Sequence, residues 1–216
     1  MRRLKQLRTY EVALEKAGLG PVAGIDEAGR GACFGPVTIA ACVLPPEPIA
    51  ALDGLTDSKK LSAKKREVLY DDIRTAAIAY DVIHVPASVI DRRGIQHANL
   101  DGARRAVAGL GVDPGYVLVD AFRVPGLRAP QLPVVGGDYT ARCIAAASVL
   151  AKVSRDRLVT EMAFDYPVYG LEGHKGYSTK VHMDAVRRHG ASREHRYSYS
   201  NVRDADRFHT ELRGRA

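Results

Sequence analysis

Three short apolar runs in this 216-residue chain each lead into acid: Val22–Ile25 into Asp26 and Glu27, Tyr116–Val119 into Asp120, and Leu132–Val135 through Gly136-Gly137 into Asp138. Short apolar runs of this kind read as strands, the branched Val22–Ile25 as a buried one. Charge directly after such a strand is costly unless cations or hydrogen bonds compensate it. The chain must therefore fold so that these strand ends meet solvent, a counter-charge or one another. Side chains alternate along a strand, so Asp26 and Glu27 can share one site only at a strand terminus or a bend. Gly29 makes a bend available.

The rest of the chain supplies the layers around such a sheet. Residues 2–17 read as a surface helix ended by Gly18 and Gly20, and Val37–Leu44 as a second strand forming a hairpin with Val22–Ile25. Ser62 is placed to cap a helix running to about Ala76, after which Ile78–Val85 returns to strand character until Pro86. Helices are expected over Ile95–Leu110, from about Ala141 to Phe164, and near Thr179–His189, with the Arg-rich tail as short helix or coil. This order predicts an α/β fold, a mixed central sheet flanked by helices, in one domain spanning 1–216 whose residues 160–210 form a mostly helical C-terminal portion.

Composition excludes several classes. No apolar stretch approaches the roughly 18 residues that cross a bilayer, and the first residues lack a signal-peptide core. Cys33, Cys42 and Cys143 are odd in number with no CxxC pair, which disfavours a disulfide framework and a zinc knuckle and fits a reducing, cytoplasmic setting. The net charge of +7 resides at the two ends, +3 over residues 1–16 and +4 over 187–216. Such termini suit a polyanion, or merely solubilise.

Any one of the four acids read alone is a turn residue or helix cap. Their recurrence at strand ends points instead to hard divalent cations, which take carboxylate oxygens, and four acids suit two metals. Gly29-Arg30-Gly31 follows the acidic pair, and glycine lets backbone approach a ligand closely while Arg30 offers a phosphate-matching fork, although a lone G-R-G is usually a turn. Lys59, Lys60, Lys64 and Lys65 form a lysine cluster, either a solvated face or phosphate contacts. Ser148, Lys152 and Arg155 share one face of the long helix, and Tyr177 in His174-Lys175-Gly176-Tyr177 could stack on a base or sugar or simply pack. No zinc spacing of histidines and no Gly-x-Ser-x-Gly elbow is present, which disfavours a side-chain nucleophile.

The string Gly24-Ile25-Asp26-Glu27-Ala28-Gly29-Arg30-Gly31 resembles the signature of ribonuclease HII, the type 2 ribonucleases H. Asp57-Ser58-Lys59-Lys60-Leu61-Ser62, Val119-Asp120, the segment Ala145–Asp156 and His174-Lys175-Gly176-Tyr177 resemble further blocks of that family, in its order, from about Val22 to Val202. The resemblance implies a ribonuclease H-like fold with a C-terminal helical part. It implies that Asp26, Glu27, Asp120 and Asp138 are the catalytic, metal-binding carboxylates, and that Gly29, Arg30 and Gly31 sense a 2′-hydroxyl through the minor groove. Tyr177 would pack on the sugar beyond the ribose at an RNA–DNA junction, and Lys59, Ser148 and Lys152 would join the nucleic-acid-binding set.

By this resemblance the chain is expected to be an endonuclease that uses Mg2+ or Mn2+ in a two-metal phosphodiester hydrolysis, and a monomer is expected. Its partners would be RNA/DNA hybrids and ribonucleotide-containing duplex DNA, told from plain DNA by the 2′-hydroxyl. A nuclease for all-DNA duplexes on the same fold and a catalytically silent hybrid-binding module are the competing readings. Two positions depart from the family's usual pattern: Gly136 stands where Lys is common, and Ser178 where Gly or Pro follows the tyrosine.

Overall fold

The computed structural model describes residues 5–214. Strand β1 (Val22–Ala28) runs antiparallel to β2 (Val37–Val43), with Ile25 opposite Ala41, so the expected hairpin forms. Strands β4 (Tyr116–Asp120) and β5 (Gln131–Val134) add in parallel beside β1, and β3 (Ala79–Val85) lies beyond β2, giving the order β3-β2-β1-β4-β5. The sheet is mixed, as expected. One boundary differs: β1 does not stop at Ile25 but carries Asp26 and Glu27 within it, because both keep their places opposite Ala40 and Ile39. The bend comes afterwards, at Gly29, whose φ of +83° lies in the left-handed region.

The described residues divide into two compact units. The first comprises the described part of Met1–Ala28 with Thr38–Ile83 and Leu100–Val153; the second comprises Gly29–Val37, His84–Asn99 and the described part of Ser154–Ala216. Helices α1 (Thr9–Lys16) and α2 (Ala63–Ala76) belong to the first unit, α3 (Ala87–Arg93) to the second, and α4 (Ile95–Ala108) and α5 (Arg142–Asp165) have residues in both. The second unit also holds α6 (Leu171–His174), α7 (Lys180–His189) and α8 (Ser200–Arg213).

In the first unit the Ala145-Ala146-Ala147 run of α5 is fully buried in a core shared with Cys42, Leu52, Leu69 and Ile73. Small residues allow that approach, and Gly24 on β1 completes it: a Cβ there would collide with the backbone of Cys143. The first turn of α5 is capped from α1, where the buried Glu11 carboxylate accepts from the Cys143 N–H at 2.8 Å. Arg142 beside it is fully buried and donates to the carbonyls of Glu47 and Pro45. Ser62 caps α2 as its position predicts, accepting from Lys65 N–H at 3.3 Å.

The second unit is built around Phe34, which meets Tyr166 edge-on at 5.5 Å and His195 at 4.9 Å between ring centroids. Two expectations change. The helix expected over 2–17 is interrupted, since Gln6 and Leu7 take positive φ before α1 begins; residues 2–4 lie outside the described residues. The tail, expected as short helix or coil, is the fourteen-residue α8, because Val202 and Ala205 bury one face of it.

Candidate active site

The carboxyl ends of β1 and β4 lie next to each other, since the two strands are parallel and paired. Asp26 is only 5% exposed and Asp138, in a short helical turn after β5, 6%. Burial holds the Asp26 carboxyl well above the usual carboxylate range, and the negative charges of Glu27 and Asp120 push it further. Bonds from the Ser148 hydroxyl and the Glu27 N–H, the latter at 2.7 Å, work in the opposite direction. Asp120 accepts from the Gly137 N–H at 2.8 Å, which ties the end of β4 to the turn carrying Asp138. Asp138 is raised by burial and then by Asp57 and Asp120.

Five carboxylates, Asp26, Glu27, Asp57, Asp120 and Asp138, are thus electrostatically linked, and Lys59 answers four of them. Partial burial lowers the Lys59 pKa, but Asp26, Asp138, Asp57 and Asp120 together raise it above the usual lysine value. Lys59 is placed by a tight turn in which Asp57 accepts from the Lys59 N–H at 2.9 Å. Asp57 is the acid that sequence reasoning missed. In the fold it caps the Lys59 turn, and its negative charge is among those that raise Asp138. Ser148 is 4% exposed, and its hydroxyl lies 2.9 Å from that of Ser58. Lys152, one turn further along α5, is half-buried.

Gly136 takes a left-handed φ of +64°, and a Cβ there would collide with the Tyr139 ring. That ring occupies the space a lysine would need, and Lys60 Nζ lies over it, 5.3 Å from the centroid. Asp26, Glu27, Asp120 and Asp138 offer carboxylate oxygens alone, a chemistry that suits a hard divalent cation, and the crowding that raises Asp26 is what such a cation would relieve. Among the described residues, no group of three or more His, Cys, Asp or Glu is drawn into a ready-made metal cluster.

In the second unit the loop after β1 is held from beneath. The Arg30 carbonyl accepts from Arg196 Nη1 at 3.0 Å and from the Tyr199 hydroxyl at 2.6 Å, while its guanidinium donates to Gln96 at 2.7 Å. Gly29 has a local reason to be glycine, because a Cβ would run into the Arg155 guanidinium at Nε. Gly31 has none: it is exposed, and a Cβ there would have nothing within 4 Å. Arg155, which sequence spacing puts on a polar helix face with Ser148 and Lys152, is fully buried; it donates to the carbonyls of Phe34, Pro36 and Lys175 at 2.9–3.0 Å. Burial pushes its pKa down to about 10, so it remains charged at neutral pH. Its guanidinium carbon also lies 5.4 Å from the centroid of the Tyr177 ring.

Residues 23–202 match the profile of the family described as Ribonuclease HII. The chain belongs to the ribonuclease HII family. A relative of that name from Corynebacterium efficiens is 68% identical over 207 residues, which cover 96% of this chain and 90% of the relative. The crystal structure of the ribonuclease H2 from Pyrococcus horikoshii OT3 superposes with a TM-score of 0.75 at 25% identity, over 88% of this chain and 99% of that one. Bst-RNase HIII, solved in complex with Mn2+, is similar in fold, with a TM-score of 0.70 at 20% identity over 92% of this chain and 74% of that one. The fold is ribonuclease H-like, as the motifs imply, and membership of the ribonuclease HII family makes the chain a ribonuclease H-type endonuclease, a hydrolase. No helix among the described residues is long and apolar enough to cross a membrane.

Proposed function

We propose that this chain cuts the RNA strand of RNA/DNA hybrids and nicks duplex DNA on the 5′ side of embedded ribonucleotides, leaving 5′-phosphate and 3′-hydroxyl ends. The observation that carries the reading is the burial of Asp26 and Asp138 at the end of β1 and beyond β5, each raised further by the charge of Asp120 and Asp26 also by Glu27, with Lys59 facing Asp26, Asp120 and Asp138. Asp26, Glu27, Asp120 and Asp138 would hold two Mg2+ or Mn2+ ions. Bound there, the metals supply Lewis-acid activation of water and charge stabilisation at the leaving oxygen.

The protein's own part is to bring carboxylate oxygens together, hold Asp26 through Ser148 and balance excess negative charge with Lys59. An exposed Gly31 with no internal reason to lack a Cβ suits close approach of a nucleic-acid backbone, and the clamped Arg30 carbonyl suits a loop that must keep one shape. Tyr177 offers a ring for a sugar, and Lys152 a charge for phosphate.

The test offers the purified protein three labelled duplexes: DNA with one ribonucleotide, its all-DNA twin and an RNA/DNA hybrid, each with Mg2+, Mn2+ or chelator. Metal-dependent cutting at the ribonucleotide and in the hybrid, with the all-DNA twin intact, is the expected result. Cutting of the twin would favour a DNA nuclease, and binding without cutting a silent hybrid-binding module.

A further inference from the structure

The Gly176–Tyr177 segment is gripped from two sides by imidazoles, the buried His182 and His195 on one and the half-buried His174 on the other. Its backbone is unusual: Lys175 and Gly176 both take left-handed conformations, with φ +50° and +77°. The His182 Nδ1 lies 3.0 Å from the Tyr177 carbonyl oxygen. A carbonyl only accepts, so Nδ1 carries the proton and Nε2 of the neutral ring is an acceptor. His195 Nε2 stands 3.1 Å from that acceptor and must donate to it. His195 Nδ1 is then left to accept, and it faces the Ser192 N–H at 3.0 Å and the Ser192 hydroxyl at 2.9 Å.

The hydrogen bonds therefore run in one direction from Ser192 to Tyr177; the Cys33 Sγ, 3.5 Å from the same His182 Nδ1, donates its own proton to the Gly176 carbonyl at 3.4 Å. On the other side His174 donates through Nε2 to the Tyr169 carbonyl at 2.9 Å and accepts from the Gly176 N–H at 3.2 Å. The His174 and His182 rings stack at 4.4 Å. Buried histidines often serve packing alone. Here the donor sequence terminates on the backbone of the one tyrosine proposed to read the substrate, and the other face of the grip ends on the glycine before it.

We propose that His182 and His195 are positioning residues for Tyr177, a directional imidazole brace that fixes where the tyrosine meets the sugar at an RNA–DNA junction. This rests on the junction-reading role given to Tyr177 above. The His182 backbone N–H donates a helix-capping bond to Thr179 Oγ1 at 3.3 Å, so the brace begins in the first turn of α7 and keeps its register there.

The directionality of these bonds gives a test that packing alone would not pass. Nitrogen-15 NMR of the wild-type imidazoles should find His182 as the Nδ1–H tautomer and His195 as the Nε2–H tautomer; the reverse assignment overturns the brace. Asparagine places its amide nitrogen where Nδ1 stands, and glutamine where Nε2 stands. His182→Asn should therefore keep kcat/KM for a single-ribonucleotide duplex within about threefold of wild type, whereas His182→Gln should lose about tenfold, a difference near 1.4 kcal/mol. Both should stay within about threefold on a continuous RNA/DNA hybrid. Equal losses for the two variants, or equal losses on both substrates, would refute the brace. Tyr177→Ala distinguishes the levels: if it loses the junction substrate and His182→Gln does not, the brace alone fails, and if Tyr177→Ala itself cuts the junction normally, the reading beneath it falls too.

Discussion

The Ser148 hydroxyl lies 2.9 Å from the Ser58 hydroxyl in the interior of the first unit, and the same Ser148 side chain bonds the Asp26 carboxyl. If Ser148 donates to the carboxylate, Ser58 must donate to Ser148, so the turn bearing Lys59 and the acid on β1 are joined by two consecutive hydrogen bonds. Ser148→Ala leaves both neighbours short of a partner. The variant should lose about 1–2 kcal/mol in urea denaturation, and its kcat/KM should fall, as steady-state kinetics would reveal.

Asp26→Asn removes one of several crowded negative charges without changing shape. Turnover should disappear while hybrid binding, followed by fluorescence anisotropy, persists. The melting temperature should not drop, because the substitution relieves the repulsion from Glu27 and Asp120 that raises Asp26. Retained turnover would remove Asp26 from the catalytic set.

Gly29 and Gly31 should separate stability from recognition. Gly29→Ala forces a Cβ onto Arg155 at a left-handed φ and should cost about 2–4 kcal/mol. Gly31→Ala meets no atom and should change stability by less than about 0.5 kcal/mol, yet weaken substrate binding. Chemical denaturation and a binding titration on both variants check the contrast.

Acid should loosen the second unit through its histidines. Burial lowers His182 to about 4, and burial with the neighbouring His182 lowers His195 to about 3. Between those values and the ordinary 6.5 the unfolded chain binds more protons than the folded one, so this contribution is complete above about pH 6.5 and shrinks as pH falls toward the folded values. The slope is at most about 1.4 kcal/mol per pH unit per histidine. Denaturation of wild type and His195→Gln at pH 7 and pH 5 should give the variant the smaller loss.

Much of the sheet and of the acid cluster was legible because apolar runs and the charges ending them are local signals. Val22–Ile25, Tyr116–Val119 and Leu132–Val135 announce strands, and parallel pairing of β4 with β1 and β5 brings their ends together. Asp57 was illegible as an acid of the site because, unlike the other four, it ends no apolar run, and its place beside Asp138 comes only from the fold. Arg155 misled for the opposite reason: helical spacing puts it beside Lys152, but its partners are carbonyls more than a hundred residues earlier and twenty later, which no local pattern encodes. Helix α3 escaped notice because seven residues between Pro86 and Gly94 give too little periodicity to read.

Arg155 satisfies carbonyls of Phe34, Pro36 and Lys175 with three nitrogens of a single planar fork. No neighbour could inherit those duties one at a time. Two stretches of chain remote in sequence are therefore locked to a common fate, so that natural drift or protein engineering in either must keep this one guanidinium in place or rebuild three bonds in a single step.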